Sequence, residues 1–214
     1  MSGVSVEDTA LARLRDAIIA GDLHPGTRLV EADLVRRLGA SRPVVRGVLG
    51  RLQHEGLVER EPNRGARVRM VTVEEAVEIV QCRAALEALA ARHAARNATP
   101  DDLAALREIH EEMAARIAGG DLLAYSACNA CFHGRVLTAS RHRTAHRLVT
   151  GLRAQMVRFQ FRTILVPGRP AESLAEHGAI LDALAAADPD AAQRAMTAHL
   201  AHVVDNLPRT SPTA

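Results

Sequence analysis

The sequence predicts a mostly α-helical protein, with an N-terminal winged helix-turn-helix followed by a C-terminal all-helical antiparallel bundle of about six helices. Three observations lead there. Strand signals occur only before Met70. Hydrophobic residues make up 48% of the chain but aromatics only 2%, so the core has to be built from Leu, Val, Ile and Ala at helical spacing. The net formal charge is only +2, yet ten Arg stand against five Asp plus Glu between Arg28 and Arg69. A local excess of that sign suits a nucleic-acid partner at one end of the chain. Lys is absent, which a GC-rich genome explains as readily as a need for guanidinium chemistry.

The first helix starts near Ser5, whose hydroxyl can cap it with Asp8 three positions on, and Leu11, Leu14 and Ile18 share one face until Gly21. Pro25-Gly26 demands a turn before a short extended run from Arg28 to Val30. A helix from Glu31 to Leu38 ends at Gly39, and Ser41 can cap a third helix with Pro43 in its first turn. Gly56 stops that helix. Leu57 to Arg60 and Ala66 to Arg69 alternate in polarity around Glu61-Pro62-Asn63-Arg64-Gly65, which reads as a two-stranded wing with an Arg at its tip.

Beyond Met70 the pattern is helical throughout. Thr72 and Glu75 box a helix reaching about Asn97; Thr99-Pro100 opens the next, which Gly119-Gly120 ends; Asp121 opens a third. A fourth runs from about His142 to Leu165 and stops at Pro167-Gly168-Arg169-Pro170. Ser173 and Glu176 box the start of a fifth, and a sixth follows Ala187-Asp188-Pro189. The expected organisation is a winged helix-turn-helix domain suited to DNA over 1–70, an all-helical domain over 71–207, and a disordered tail over 208–214. Cys82, Cys128 and Cys131 are too few for a disulfide framework, no secretion signal opens the chain, and no apolar run is long enough to span a bilayer. A cytoplasmic protein without membrane contact is expected.

The text GDLHPGTRLVEADLVRRLGASRPVVRGVLGRLQHEGLVEREPNRGARV, from Gly21 to Val68, closely resembles the DNA-binding domain of the GntR superfamily of bacterial transcription regulators. RAALEALAARHAA at 83–95, NACFH at 129–133, SLAEHGAILDAL at 173–184 and AMTAHL at 195–200 resemble the FadR-type effector domain, called FCD. The resemblance spans nearly the whole chain and implies that 71–207 is an effector-binding and dimerisation domain. It departs where such regulators usually carry Thr-Pro-Val-Arg-Glu-Ala-Leu and this chain has Pro43-Val44-Val45-Arg46-Gly47-Val48-Leu49. Gly47 costs roughly 1 kcal/mol of helix propensity relative to Ala.

In a domain of this kind the third helix enters the major groove by its first turn. Arg42 and Arg46 are four apart and share a face, and each guanidinium can grip guanine O6 and N7, a contact worth roughly 1–3 kcal/mol of discrimination. Ser41 lies beside them, while Asn63, Arg64 and Gly65 at the wing tip suit phosphates or the minor groove. The bland reading of such Arg residues is a solvated charged face. Two Arg per half-site bind weakly, so a homodimer on a near-palindromic operator in double-stranded DNA is expected, as the resemblance also implies.

Asn129 and His133 are one helical turn apart, and His177 and His199 come from the last two helices, so three imidazoles and an amide can meet inside the bundle. Each His alone reads more simply as an ordinary surface or core residue. FadR-type members commonly hold a divalent metal with an Asp or Asn, a His four residues on and two later His. The resemblance maps that set onto Asn129, His133, His177 and His199, with zinc or nickel the favoured ions. His202 competes with His199 by proximity. Arg83 and Glu87 form either an intrahelical ion pair or, as the resemblance implies for Arg83, a clamp for an effector carboxylate. Cys128 and Cys131 make a C-x-x-C within a helix, where apolar packing is the simpler role. The whole reads as a ligand-responsive regulator sensing a small organic acid, for which repression is the expectation although the sequence does not determine the sign. Two rivals stay open: a metal-dependent hydrolase, disfavoured because Glu176 as a helix cap leaves no general base, and an architectural DNA-binding protein that senses nothing.

Overall fold

The computed structural model describes residues 5–61 and 65–208; Asn63, Arg64 and nearly all of the expected tail lie outside the described residues. Within it the chain divides into two compact units, Met1–Val71 and Thr72–Ala214.

The first unit holds α1 (Val6–Ile19), β1 (Arg28–Leu29), α2 (Glu31–Leu38), α3 (Arg42–His54), β2 (Val58–Glu61) and β3 (Gly65–Val68). Ser5 caps α1, its hydroxyl accepting the Asp8 amide at 3.0 Å. Leu11, Leu14, Val45, Val48, Leu49 and Leu52 are fully buried between α1 and α3. The sheet is three-stranded in the order β1-β3-β2, all antiparallel, with Leu29 opposite Ala66 and Arg60 also opposite Ala66. The expected two-stranded wing is present as β2 and β3, and the extended run at Arg28 joins it as a third strand: the Gly26 amide donates to Val68 O at 2.8 Å, and the turn at Pro25-Gly26 thereby delivers β1 to the free edge of β3. Ser41 occupies the N-cap position of α3, but its hydroxyl makes no cap hydrogen bond and is exposed.

The second unit is a bundle of α4 (Val73–Asn97), α5 (Pro100–Ala118), α6 (Leu122–Ala139), α7 (Arg143–Gln155), α8 (Val157–Ile164), α9 (Arg169–Ala185) and α10 (Pro189–Asn206). Thr72 caps α4, and Thr99 with Asp102 forms a full capping box on α5. Along α4, Ala76, Ala90, Ala91 and Ala94 are wholly buried, and these small side chains let α6, α7, α9 and α10 all pack on one helix.

Two expectations fail in this unit. The helix foreseen from His142 to Leu165 is two helices, because the backbone leaves helical geometry at Met156 (φ −103°, ψ 5°). Met156, Phe159, Thr163 and Ile164 line one cavity, at the i, i+3, i+7, i+8 spacing of a single helical face. The next helix also begins earlier than expected. Gly168 (φ +82°) is its N-cap and Pro170 sits in its first turn, where a missing amide proton costs nothing, so Ser173 and Glu176 are interior residues and not a cap.

Candidate functional site

In the bundle the three His of the sequence motif converge. His133 comes from α6, His177 from α9 and His199 from α10, all buried, and the His133 Nε2 lies 3.2 Å from the Nε2 of His177 and 3.2 Å from that of His199. A carboxylate stands behind two of the rings. Glu87 on α4 takes the His133 Nδ1 proton at 2.7 Å, and Glu176 on α9 takes that of His199 at 2.6 Å. Each carboxylate thus selects the tautomer whose Nε2 carries only a lone pair, and the lone pairs face a common point.

Burial is the main force on all three rings and disfavours their charge. It pulls His133 down to about 4 despite the opposing pull of Glu87. His177 is driven well below its ordinary value by burial and then by His199 and His133, and His199 is lowered by burial although Glu176 resists. All three are neutral at physiological pH, the form that binds metal. Burial also works against ionisation of Glu87, but Arg83, His133 and Arg153 outweigh it and hold the carboxyl well below its usual range. Glu176 is likewise opposed by burial, yet hydrogen bonds from His199 and Arg169 pull it to about 2.

This donor set fits a divalent cation. Nitrogens each about 2.1 Å from one ion stand about 3.0–3.4 Å apart in octahedral or tetrahedral arrangements, and here the spacing is 3.2 Å. Lone pairs crowded in this way repel unless a positive charge lies between them. Asn129, one turn before His133, has a buried Oδ1 with no hydrogen-bond partner, and it lines the same cavity as His133 and His199. Among the described residues these three His are the group able to hold an ion together. His202 is not one of them. It is exposed, and its Nδ1 is bonded to Glu176 at 2.7 Å.

The cavity beside the His cluster encloses about 520 Å³, part of it open to solvent. Met156, Phe159, Ile164, Leu200 and Leu207 form its apolar walls; Arg83, Asn129, Arg169 and Ser173 supply polar groups. Of the two readings of Arg83 and Glu87 the ion pair is present, with Arg83 Nε on Glu87 Oε1 at 2.8 Å. It is buried, unlike an ordinary surface pair, and it engages only Nε. The two terminal nitrogens of Arg83 carry no further hydrogen bond among the described residues. Arg169 is differently committed, since both its terminal nitrogens fork onto Glu176 at 2.8 and 2.6 Å.

Sequence reasoning missed Arg169 and misread Glu176. The run Pro167 to Pro170 looked like a stop, and only the tertiary packing reveals that it opens a helix aimed at the site. It also misjudged the cysteines. Cys131 is exposed and Cys128 half-buried, because α6 turns Asn129, Phe132 and His133 inward and leaves the other face to solvent.

In the first unit Arg42 and Arg46 lie exposed on the first turns of α3. Arg42 makes no hydrogen bond or ion pair among the described residues. Arg46 donates Nε to Glu31 at 2.9 and 3.2 Å. Gly65 opens β3 at φ +86°, a conformation that requires glycine whatever its role toward DNA. A Cβ at Gly47 would meet the Glu7 carboxylate of α1 at 3.1 Å, a contact that a shift of that side chain's flexible end would relieve.

A winged helix-turn-helix joined in one chain to a helical domain with a polar cavity defines a DNA-binding transcription regulator. Models of two families match, the gntR family of bacterial regulatory proteins over residues 7–68 and the FCD domain over residues 78–202. The chain belongs to the gntR family of bacterial transcription regulators and carries an FCD domain. It is 32% identical over 201 residues, 90% of this chain and 86% of the other, to a probable D-xylose utilization operon transcriptional repressor of Paenarthrobacter nicotinovorans. The HTH-type transcriptional repressor RspR of Escherichia coli is 27% identical, covering 91% and 85%. Among solved structures, Escherichia coli McbR/YncC superposes with a TM-score of 0.80 at 25% identity, over 97% of this chain and 99% of that one. These relatives are regulators and not enzymes, which removes the hydrolase reading. Glu176 is no free base either, since Arg169, His199 and His202 all hold it. No helix among the described residues is long and apolar enough to cross a membrane.

Proposed function

We propose that this chain is a repressor that binds a near-palindromic DNA operator as a homodimer and is released or retained by a small organic acid sensed beside a bound divalent metal. Residues 1–70 bind DNA, with Arg42 and Arg46 reading bases and Ser41, Asn63, Arg64 and Gly65 supporting contacts at the groove edge. Residues 71–207 bind the effector and carry the dimer contacts. His133, His177 and His199 with Asn129 would hold zinc or nickel, and the neutral amide of Asn129 makes it the weakest donor of the set. When bound, such an ion supplies a Lewis-acid position open to a carboxylate oxygen or water. Glu87 and Glu176 orient the His rings, and the free fork of Arg83 pairs with the acid's carboxylate.

The observation that carries this reading is the convergence of three neutral imidazole Nε2 atoms beside a cavity in which a buried Arg83 offers unpartnered donors. The repressor sign is supported by two relatives that are named repressors. Elemental analysis of the purified protein, followed by thermal shift with a panel of small carboxylates, tests it. A stoichiometric divalent ion lost in His133→Ala, and an acid that raises the melting temperature of the wild type but not of Arg83→Ala, are the expected results. Absence of both metal uptake and acid response would leave a DNA-binding protein that senses nothing.

A further inference from the structure

We propose that Glu31 is a positioning residue for DNA readout, holding the Arg46 guanidinium so that its terminal amino groups face a base edge. The inference rests on the reading of Arg46 as a base-contacting residue and adds a residue to which the sequence assigns no role. Glu31 is the first residue of α2, where the partial positive charge of the helix start steadies its carboxylate. Both of its oxygens accept the Arg46 Nε proton, at 2.9 and 3.2 Å, across from α2 to α3. Arg60 of β2 approaches the same carboxylate, Nη2 to Oε1 at 3.8 Å. One acid thus ties the start of α2, the exposed face of α3 and the first strand of the wing.

The choice of nitrogen matters. With Nε occupied, the donors left to Arg46 are its two terminal amino groups, and no other partner holds them among the described residues. A parallel pair of N–H bonds to guanine O6 and N7 can be made from those two groups. The long side chain then gives up less rotamer freedom on binding than a free Arg would. Arg42 is the internal contrast, since it stands on the same helix with no such tether. Glu31 also places a negative charge near the DNA phosphates, which weakens contact with every sequence alike. It therefore exchanges general affinity for discrimination, the reverse of what a cation at the interface does.

The test is a selection from duplexes randomised over their central segment, sequenced before and after capture by wild type, Glu31→Ala, Glu31→Gln, Arg46→Ala and Glu31→Ala/Arg46→Ala, with thermal melts of each. Arg46→Ala is expected to erase a base preference at one position of each half-site, a loss of about 5- to 150-fold. Glu31→Ala is expected to weaken the preference at that same position by about two- to tenfold, while binding to non-selected duplex tightens. Glu31→Gln, which keeps an oxygen acceptor, recovers part of the preference, and adding Glu31→Ala to Arg46→Ala changes it no further. If Arg46→Ala removes the preference and Glu31→Ala leaves it intact at unchanged stability, the positioning role is refuted alone. Should Arg46→Ala itself leave every position unchanged, the base-reading assignment falls and this inference with it. A uniform loss across positions in Glu31→Ala, with a lowered melting temperature, would show that Glu31 serves only the fold and overturn the proposal.

Discussion

The two units handle charge in opposite ways. In the first, Arg42 and Arg46 stand in solvent, and what pairing exists, such as Arg46 to Glu31 or Arg51 to Asp8 at 2.8 Å, lies at the surface. In the second, Arg83, Glu87, His133, His177, Arg169 and His199 are all buried and bonded to another of the set or to Glu176. Surface pairs contribute about 0–1 kcal/mol and can be broken for a ligand at little cost to the fold. Buried charges cannot be separated so cheaply, because a survivor left alone in low dielectric is penalised by several kcal/mol. The head can thus release its Arg residues to DNA, whereas any ligand entering the bundle must join a network that is already balanced. The network leaves the Oδ1 of Asn129 and the Nδ1 of His177 buried without a partner, and the terminal nitrogens of Arg83 carry no bond among the described residues.

The sharpest way to break this contrast is Glu87→Ala. It strands the Arg83 charge and takes the Nδ1 partner from His133, so a loss of about 3–5 kcal/mol in urea unfolding is expected, together with weaker metal uptake by about 10- to 100-fold. A loss below about 1 kcal/mol would mean that the buried pair behaves like a surface one.

Acid should act on the same network. In metal-stripped protein His133 titrates near 4 when folded against 6.5 when unfolded, so the unfolded state binds more protons between those values. The share of stability that His133 contributes, on the order of 3 kcal/mol, is therefore complete above about pH 6.5, is lost as the pH drops through that window and is gone near 4, below which the lowered Glu176 carries the loss further. His177 and His199 shift the same way. A melting temperature flat from pH 7 to pH 4 would contradict the neutral triad.

The head should respond in the other sense. Arg42→Ala and Arg46→Ala are each expected to cost about 1–3 kcal/mol of operator discrimination in gel-mobility assays and to leave folding stability within about 0.5 kcal/mol. The smallest effect expected is a gain. Ala187 holds φ 51° in the turn before α10, a region costly for any residue with a Cβ, so Ala187→Gly should stabilise by about 0.5 kcal/mol once the added freedom of the unfolded chain is subtracted. A calorimetric loss there would show that the turn is not strained.

The legibility of the sequence follows the range of the interactions. Capping by Ser5, Thr72, Thr99 and Asp121 was readable because a cap joins residues three apart, and the structure has each of these bonds. Turn chemistry was equally local at Pro25-Gly26. Where the same short motifs were matched without a helix end to cap, they misled. Ser173 and Glu176 have box spacing, yet α9 begins at Arg169 because a proline in a first turn permits a helix as readily as a proline after a last turn ends one. The break at Met156 has no Pro or Gly at the site to mark it in the sequence, and its residues Met156 and Phe159 line the cavity.

By itself the sequence determined what depends on neighbours along the chain: the helical character, the order of head and bundle, the caps, and four candidate ligands at recognisable spacing. The tertiary structure alone decided which groups complete the site. Glu87 lies 46 positions from His133 and Glu176 lies 23 from His199, separations over which no periodicity or motif speaks. Carboxylate and imidazole meet there because packing α4 against α6, and α9 against α10, brings each carboxylate within hydrogen-bonding reach of a ring, and burial makes such a partner obligatory.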